Sequence, residues 1–510
     1  MKSEIHQRHI NENEWVWTIL GLAILFGLFV RFLPAPLAGF PINDGGMFAV
    51  MMRDLRANNF VLPVFTTYNF SNIPFAYPPL GLYLGAMFEW VGLSEAQVLI
   101  WLPAFLASST IPLFYLLASV LLENRPRAAV ATVFFALAPG NYVWYLMGGG
   151  LTRALGADFF ILSLYFVYRT FKESSWWLAV YSMIFCALTV LSHPQAALLL
   201  LVGCAVFWLF YGLSRTSSMK AFMIAFGVFV LTSPWWGVII SHHGLGVFFS
   251  AVQSGNLTIS FSALFNGLIA RQTIIPFSTV LWCLGLLWAF YVRRFDILVW
   301  GFLPYFVDQR SSSIAASLLY PMLAAYGFMD VIPGIIYWLR NKKWIIRKDD
   351  FLFNWHGLSM SMLGIAFYLF IECFFHIGVV NSVNLRNEAR DMMLWVNENT
   401  PVDSTFIILT GRQDPMTDPV QEWFPSLAER HSATTLQGLE WTLKETFNIR
   451  SDQLTAFQNC HDVDCVDSLV SKMGLKYTTI VVDKSIIPLD SFLSHGYKLL
   501  FDNGTYVVLQ

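Results

Sequence analysis

PLAGFPINDGGMFAVMMRDLRANNFVLPVFTTYNFSNIPFAYPPLGLYL, residues 36–84, follows an apolar run at 15–33 and precedes another at 99–122. A bilayer crossing takes about 20 mostly apolar residues, so each run is long enough to be one. The segment between them, 34–78, is too long and too patterned for a mere connector. Met47, Met51 and Leu55 recur at helical spacing, with Arg53, Asp54 and Arg56 off that stripe. Such a pattern predicts an amphipathic helix suited to the membrane surface. Asp44 stands just ahead of it, followed by Gly45 and Gly46. Asp is a good helix N-cap, so Asp44 reads equally as a cap and as a chemical group.

Further apolar runs lie at 128–146, 154–170, 176–192, 195–213, 219–240, 274–292, 295–307, 314–339 and 353–380, which makes eleven expected spans. The stretch 79–93 begins at a Pro pair and is short, and is read as a helix that does not cross. The first run is long and lacks a small-x-small site, unlike a cleaved signal peptide. Of the 510 residues, 56% are hydrophobic and only 13% charged. Soluble domains carry about 25% charged residues, so most of this chain is not a soluble enzyme. A net charge of −2 excludes a basic nucleic-acid binder, and six cysteines exclude a disulfide scaffold. Residues 381–510 hold 27 charged side chains in 130 residues, against 37 in the first 380. The density doubles there, which divides the chain into a polytopic domain, 1–380, and a soluble domain, 381–510.

Orientation follows from Lys and Arg in the short loops. With the N-terminus inside, 15 of them fall on the cytoplasmic side, including Arg125, Arg127, Arg293, Arg294 and Lys348. Six remain opposite or at the outer span ends: Arg31, Arg53, Arg56, Arg153, Arg271 and Arg310. Eleven spans then put the soluble domain outside, together with the sequons at Asn69, Asn256 and Asn503.

Several polar features share that outer side. Gly148-Gly149-Gly150 precedes Arg153, whose guanidinium suits a phosphate or carboxylate. Asp158 lies about a turn inside the next span, where an acid is costly and marks function by default; a structural pair with Arg153 is the alternative. Ser192-His193-Pro194 joins two spans, and His193 reads as a turn residue or a ligand-facing group. Asp308-Gln309-Arg310 follows a run too short to cross comfortably, so it lines a cavity or forms an exposed loop. Asp44, the Gly148–Arg153 turn, His193 and Arg310 are expected to converge on one cavity. The chain has no P-loop, dinucleotide fingerprint or H-E-x-x-H.

An N-terminal span and a long outer loop opening on an acid, INDGG, resemble the GT-C membrane glycosyltransferases. These include protein mannosyltransferases, aminoarabinose transferases and oligosaccharyltransferase catalytic subunits. YPPLGLYL, Tyr77 to Leu84, is similar to the x-P-P-L that follows the first loop in the mannosyltransferase branch. The resemblance implies a polytopic α-helical fold with an outer α/β domain, a catalytic acid at Asp44 and a polyprenyl-phosphate-linked sugar donor. Asp44 would be the general base toward an acceptor hydroxyl, worth typically 10²–10⁴-fold. Tyr77, Arg153, Asp158, His193 and Arg310 are the donor-binding candidates, with an arginine stabilising the leaving phosphate. The acceptor would be an extracytoplasmic glycan, lipid or protein. The mannosyltransferase branch has an Asp-Glu pair in this loop, where this chain has Asp44-Gly45, and the loop holds no D-x-D. A divalent metal is compatible with the sequence and not required by it.

In the soluble domain, Glu388–Asn399 reads as a helix, Thr405–Leu409 and Tyr477–Val482 as buried strands, and Lys498–Leu509 as a hairpin around Asp502-Asn503-Gly504-Thr505. The aromatic segment from Glu422-Trp423-Phe424-Pro425 to Trp441 suits either core packing or a sugar. Cys460 and Cys465 are close and outer, which predicts a disulfide. Two other classes remain open: a transporter or lipid flippase, which accounts for Asp158 and Arg310, and a non-catalytic assembly subunit, which accounts for the single acid.

Overall fold

The computed structural model describes residues 11–253, 277–309, 311–341, 355–381 and 383–510. Seven helices among them are long and apolar enough to cross a bilayer, including Glu12–Ala38, Glu95–Leu121, Gly150–Lys172 and Arg215–His243. Trp176–Ser192, Phe277–Tyr291 and Phe295–Val307 are shorter apolar helices. The chain is thus a polytopic helical membrane protein. Local chemistry explains the helix starts. Asn11 with Glu14, and Ser94 with Gln97, close reciprocal capping boxes at the first two long helices.

The expected span 128–146 is not one helix. Arg125–Ala136 ends at Leu137; a turn of 3-10 helix, Pro139–Asn141, and a short helix, Val143–Leu146, follow. Twelve helical residues rise only about 18 Å, well short of a bilayer core of about 30 Å. Proline disfavours the helical conformation in the residue before it, and Ala138 is extended, with φ −97° and ψ 113°. Residues 126–136 are all buried, so protein rather than lipid covers this segment. Leu80–Trp90, eleven residues, remains a short helix.

The stripe of Met47, Met51 and Leu55 does form a helix, Gly46–Ala57, but it does not lie on lipid. Met51, Met52 and Leu55 are at most 2% exposed. They belong to one apolar core with Leu82 and Ala86 of the Leu80–Trp90 helix and with Trp423 and Phe424 from the C-terminal region. Periodicity shows that a face is apolar without showing what covers it, and here protein does.

The first loop carries a small hairpin, β1 (Phe65–Thr66) with β2 (Ile73–Pro74). The C-terminal region holds a five-stranded mixed sheet: β3 (Thr405–Leu409), β4 (His431–Ser432), β5 (Thr479–Asp483), β6 (Leu499–Asp502) and β7 (Tyr506–Leu509), in the order β4-β3-β5-β7-β6. β3 runs parallel to β4 and β5, and β7 pairs antiparallel with β5 and β6. Phe406, Ile408 and Val481 point into the core shared with the first loop. Ile407, Leu409 and Ile480 point the other way, into a second core with Phe457 and Val466. A disulfide joins Cys460 to Cys465 beside that second core. The seam to the loop is polar as well: Asn69 Nδ2 donates to the Ser432 carbonyl at 3.0 Å, and Ser432 N–H donates to Asn69 Oδ1 at 2.7 Å. Asn69 is therefore a buried structural residue, Asn503 accepts from the backbone of the final hairpin turn, and Asn256 lies outside the described residues.

Candidate active site

Asp44 is held by the glycine turn. Ile42 bridges Met147 in parallel, and Gly148 N–H donates to the Ile42 carbonyl at 2.9 Å. The two segments therefore run side by side. Asp44 Oδ1 accepts from Gly149 N–H at 2.8 Å, and Oδ2 accepts from the Arg153 guanidinium. Arg153 also donates to the Trp144 carbonyl at 2.9 Å, with its guanidinium carbon 4.1 Å from the Trp144 ring centroid. The glycines permit this approach. A Cβ on Gly148 would overlap the Asp44 carbonyl, and one on Gly149 would overlap the Arg153 guanidinium. The side chains of Asp44 and Arg153 are 17% and 9% exposed, so the pair is largely shielded from water, where charge-assisted bonds are strong.

Asp44 is not the cap of the helix behind it. The N-cap is Gly45, with φ 124°, and no side chain of the same segment caps it. That work is done from the C-terminal region. Glu422 Oε1 accepts from Gly45 N–H at 2.8 Å. Glu422 sits in the helix Pro419–Leu427, whose backbone presses on Gly46: a Cβ there would come within 2.5 Å of the Glu422 carbonyl oxygen. Two further bonds fix that helix, Tyr68 Oη to the Glu422 carbonyl at 2.7 Å and Trp423 Nε1 to the Asn43 carbonyl at 2.9 Å. Burial, and then the negative charge of Asp44, push the Glu422 carboxyl up to about 8; Gly45 N–H and Arg153 act against the rise. One acid from each region thus faces the same turn.

The other expected site residues are distributed more widely. Tyr77 joins the site's edge: its hydroxyl meets Thr152 Oγ1 at 3.3 Å, and its ring packs edge-on against Phe48 and Trp441. Burial raises its phenol to about 12. Asp158 does not pair with Arg153. It lies deeper in the same helix, where Oδ2 accepts from Ser109 Oγ at 2.5 Å. His193 caps the helix Pro194–Tyr211 by accepting from Ala196 N–H at 3.3 Å, and a Cβ on Gly156 would meet its Cβ at 2.6 Å. The bonds described for Asp44 are to Gly149 and Arg153, and His193 is not among them. Arg310 lies outside the described residues. Among the described residues no three His, Cys, Asp or Glu side chains gather to hold a metal ion.

No protein-family model matches the sequence, and no curated protein matches it either. Solved structures do match. ArnT from Cupriavidus metallidurans bound to undecaprenyl phosphate is similar over 98% of both chains, with a TM-score of 0.57 at 13% identity. The same protein in its apo state gives 0.54 over 98% of both chains at 13% identity. An oligosaccharyltransferase from Archaeoglobus fulgidus gives 0.52 at 14% identity, over 92% of this chain and 70% of that one. The fold is GT-C-like.

Within that GT-C-like fold, Glu422 is the residue that sequence reasoning passed over. It stands in an aromatic segment, where Trp423 and Phe424 dominate the pattern. The available clue was an acid in the first turn of a short amphipathic helix capped by its own Asp418, since Glu422 was then free to serve another helix.

Proposed function

We propose that this chain is a membrane glycosyltransferase that moves a sugar from a polyprenyl-phosphate donor to an acceptor hydroxyl, with Asp44 as general base. The observation that carries this reading is that Asp44 is relieved of helix capping by Glu422 and is held instead at a glycine turn beside Arg153. The GT-C-like fold, and the undecaprenyl phosphate bound by ArnT, support the donor class. In the reaction the acceptor oxygen forms a bond to the sugar C1 while its proton passes to the Asp44 carboxylate. The bond from C1 to the phosphate oxygen breaks, and polyprenyl phosphate leaves with the electron pair. Arg153 neutralises charge on the donor phosphate, an arrangement that favours the transition state. Tyr77, Asp158, His193 and Arg310 complete the donor pocket in this reading, and the departing acid pair of the mannosyltransferase loop is replaced by Asp44 with Glu422. The excess of Lys and Arg on one side supports an inner N-terminus with the site and the domain at 381–510 outside, and the broken segment 125–146 still carries the chain back to the Asp44 side, where Gly148 N–H bonds the Ile42 carbonyl. The domain at 1–380 carries the spans.

Asp158, inside a span with Oδ1 lacking a hydrogen-bond partner among the described residues, is what favours the rival reading of a transporter or flippase. Purified full-length protein in detergent, offered a panel of undecaprenyl-phosphate-linked sugars, separates the two. Release of undecaprenyl phosphate from one donor, lost in Asp44→Asn with donor binding retained, is the expected result. Movement of an intact donor across proteoliposomes, with no bond cleaved, would overturn the reading.

A further inference from the structure

The sheet carries a second site. β3 leads through the helix Pro419–Leu427 to β4 on one side, whereas β5 leads through a short helix to β6 beyond β7 on the other. The connections diverge, so the carboxyl ends of β3 and β5 form a switch point, where open α/β sheets bind ligands in the crevice. A cleft of about 220 Å³ lies there. Its walls are Thr410 and Arg412 after β3, Asp483 and Ser485 at the end of β5, Tyr506 opposite, and Arg386 from the preceding segment. Neither Arg386 nor Arg412 has an ion pair or a side-chain hydrogen bond among the described residues. Asp483 Oδ1 accepts from Ser485 N–H at 2.9 Å and from Ser485 Oγ at 2.7 Å, and Oδ2 has no hydrogen bond among the described residues.

We propose that this cleft binds an acidic saccharide, its carboxylate or phosphate on Arg386 and Arg412 and a sugar hydroxyl on Asp483. Two guanidinium forks with no direct ion pair among the described residues suit an oxyanion, and one acceptor carboxylate in the same cleft suits a hydroxyl rather than a second anion. The cleft also connects to the Asp44 centre. Thr410 Oγ1 donates to Asp418 Oδ2 at 2.5 Å, Asp418 Oδ1 caps Val420 N–H at 2.9 Å, and Glu422 follows within the same turn. Pro419 and Val420 line the cleft, and Glu422, two residues on in the same helix, bonds Gly45, so one helix joins the two places. The cleft is thus where an acidic part of the acceptor is gripped, a role that rests on the glycosyltransferase reading; the binding itself does not.

Calorimetry on the full-length protein in detergent tests the binding with three probes: glucuronate, inorganic phosphate and neutral glucose. Wild type is expected to bind one or both anions in a salt-sensitive way, and glucose at least about tenfold more weakly, the scale of one bond to a charged group. The double variant Arg386→Gln, Arg412→Gln should lose anion binding by about tenfold or more. Asp483→Asn removes a negative charge and should tighten phosphate binding, a gain no folding defect produces. Stronger binding of glucuronate than phosphate assigns the carboxylate, and the reverse assigns the phosphate. No anion binding by wild type, or equal binding by the double variant, overturns the proposal. Asp44→Asn should bind the anions like wild type, so failure of the catalytic reading is scored separately by its transfer rate.

Discussion

Glu422→Gln tests the acid pair most directly. Gln keeps the size of the side chain and an Oε1 acceptor for Gly45 N–H, so the cap survives while the ionisation is lost. In the folded protein, burial and the nearby Asp44 charge hold Glu422 up at about 8, against 4.5 for the free group. The folded state therefore binds this proton more tightly than the unfolded chain. Its contribution to stability is complete below pH 4.5 and is lost as pH rises to about 8. Two consequences follow for the wild type. Its resistance to denaturant in detergent should decline between pH 5 and pH 8, whereas that of Glu422→Gln should decline much less. Its transfer rate should fall through about pH 8, because an ionised Glu422 competes with Asp44 for Arg153 and repels a donor phosphate. In Glu422→Gln that alkaline limb should move or disappear. Superimposable pH profiles for the two proteins, or a wild-type stability that rises across this interval, would refute the argument.

Asp44→Asn retains an acceptor for Gly149 N–H and should fold, bind donor and lose about 10²–10⁴-fold in turnover, read by release of polyprenyl phosphate. Arg153→Ala leaves a buried carboxylate without its partner and should lower stability by about 3–5 kcal/mol, read by denaturant titration alongside Asp44→Asn. Gly148→Ala should disrupt the site through its clash with the Asp44 carbonyl, measured as lost donor binding with helix content kept. Non-reducing mass spectrometry should recover Cys460 and Cys465 in one linked peptide, and removal of that short loop closure should cost about 2 kcal/mol.

Much of the molecule was legible in the sequence because the relevant physics is local. Apolar runs of span length, the doubled charge density after residue 380, and the turn at Asp502-Asn503-Gly504-Thr505 each depend on neighbours along the chain. The helix Asn387–Asn399 and the strands β3 and β7 stand at or next to their expected positions for the same reason. Average hydropathy over a span-length window hid the break in 128–146, although Pro139-Gly140-Asn141 carries a local turn signal. Nor could it tell lipid from protein over Met51 and Leu55, since both covers are equally dry.

The site itself belonged to the tertiary structure. Asp44 was visible as a cap or a catalyst, and the fold shows that it is not the cap. It does so by bringing Glu422 across 377 positions of sequence to Gly45 N–H, and Arg153 across 109 to Asp44. Hydrogen bonds and ion pairs reach about 3 Å and leave no periodic trace in either partner's surroundings. Sequence by itself therefore determined which segments are apolar, which are turns and which residues are chemically able. Tertiary packing alone decided which carboxyl caps a helix and which pairs with an arginine at the glycine turn.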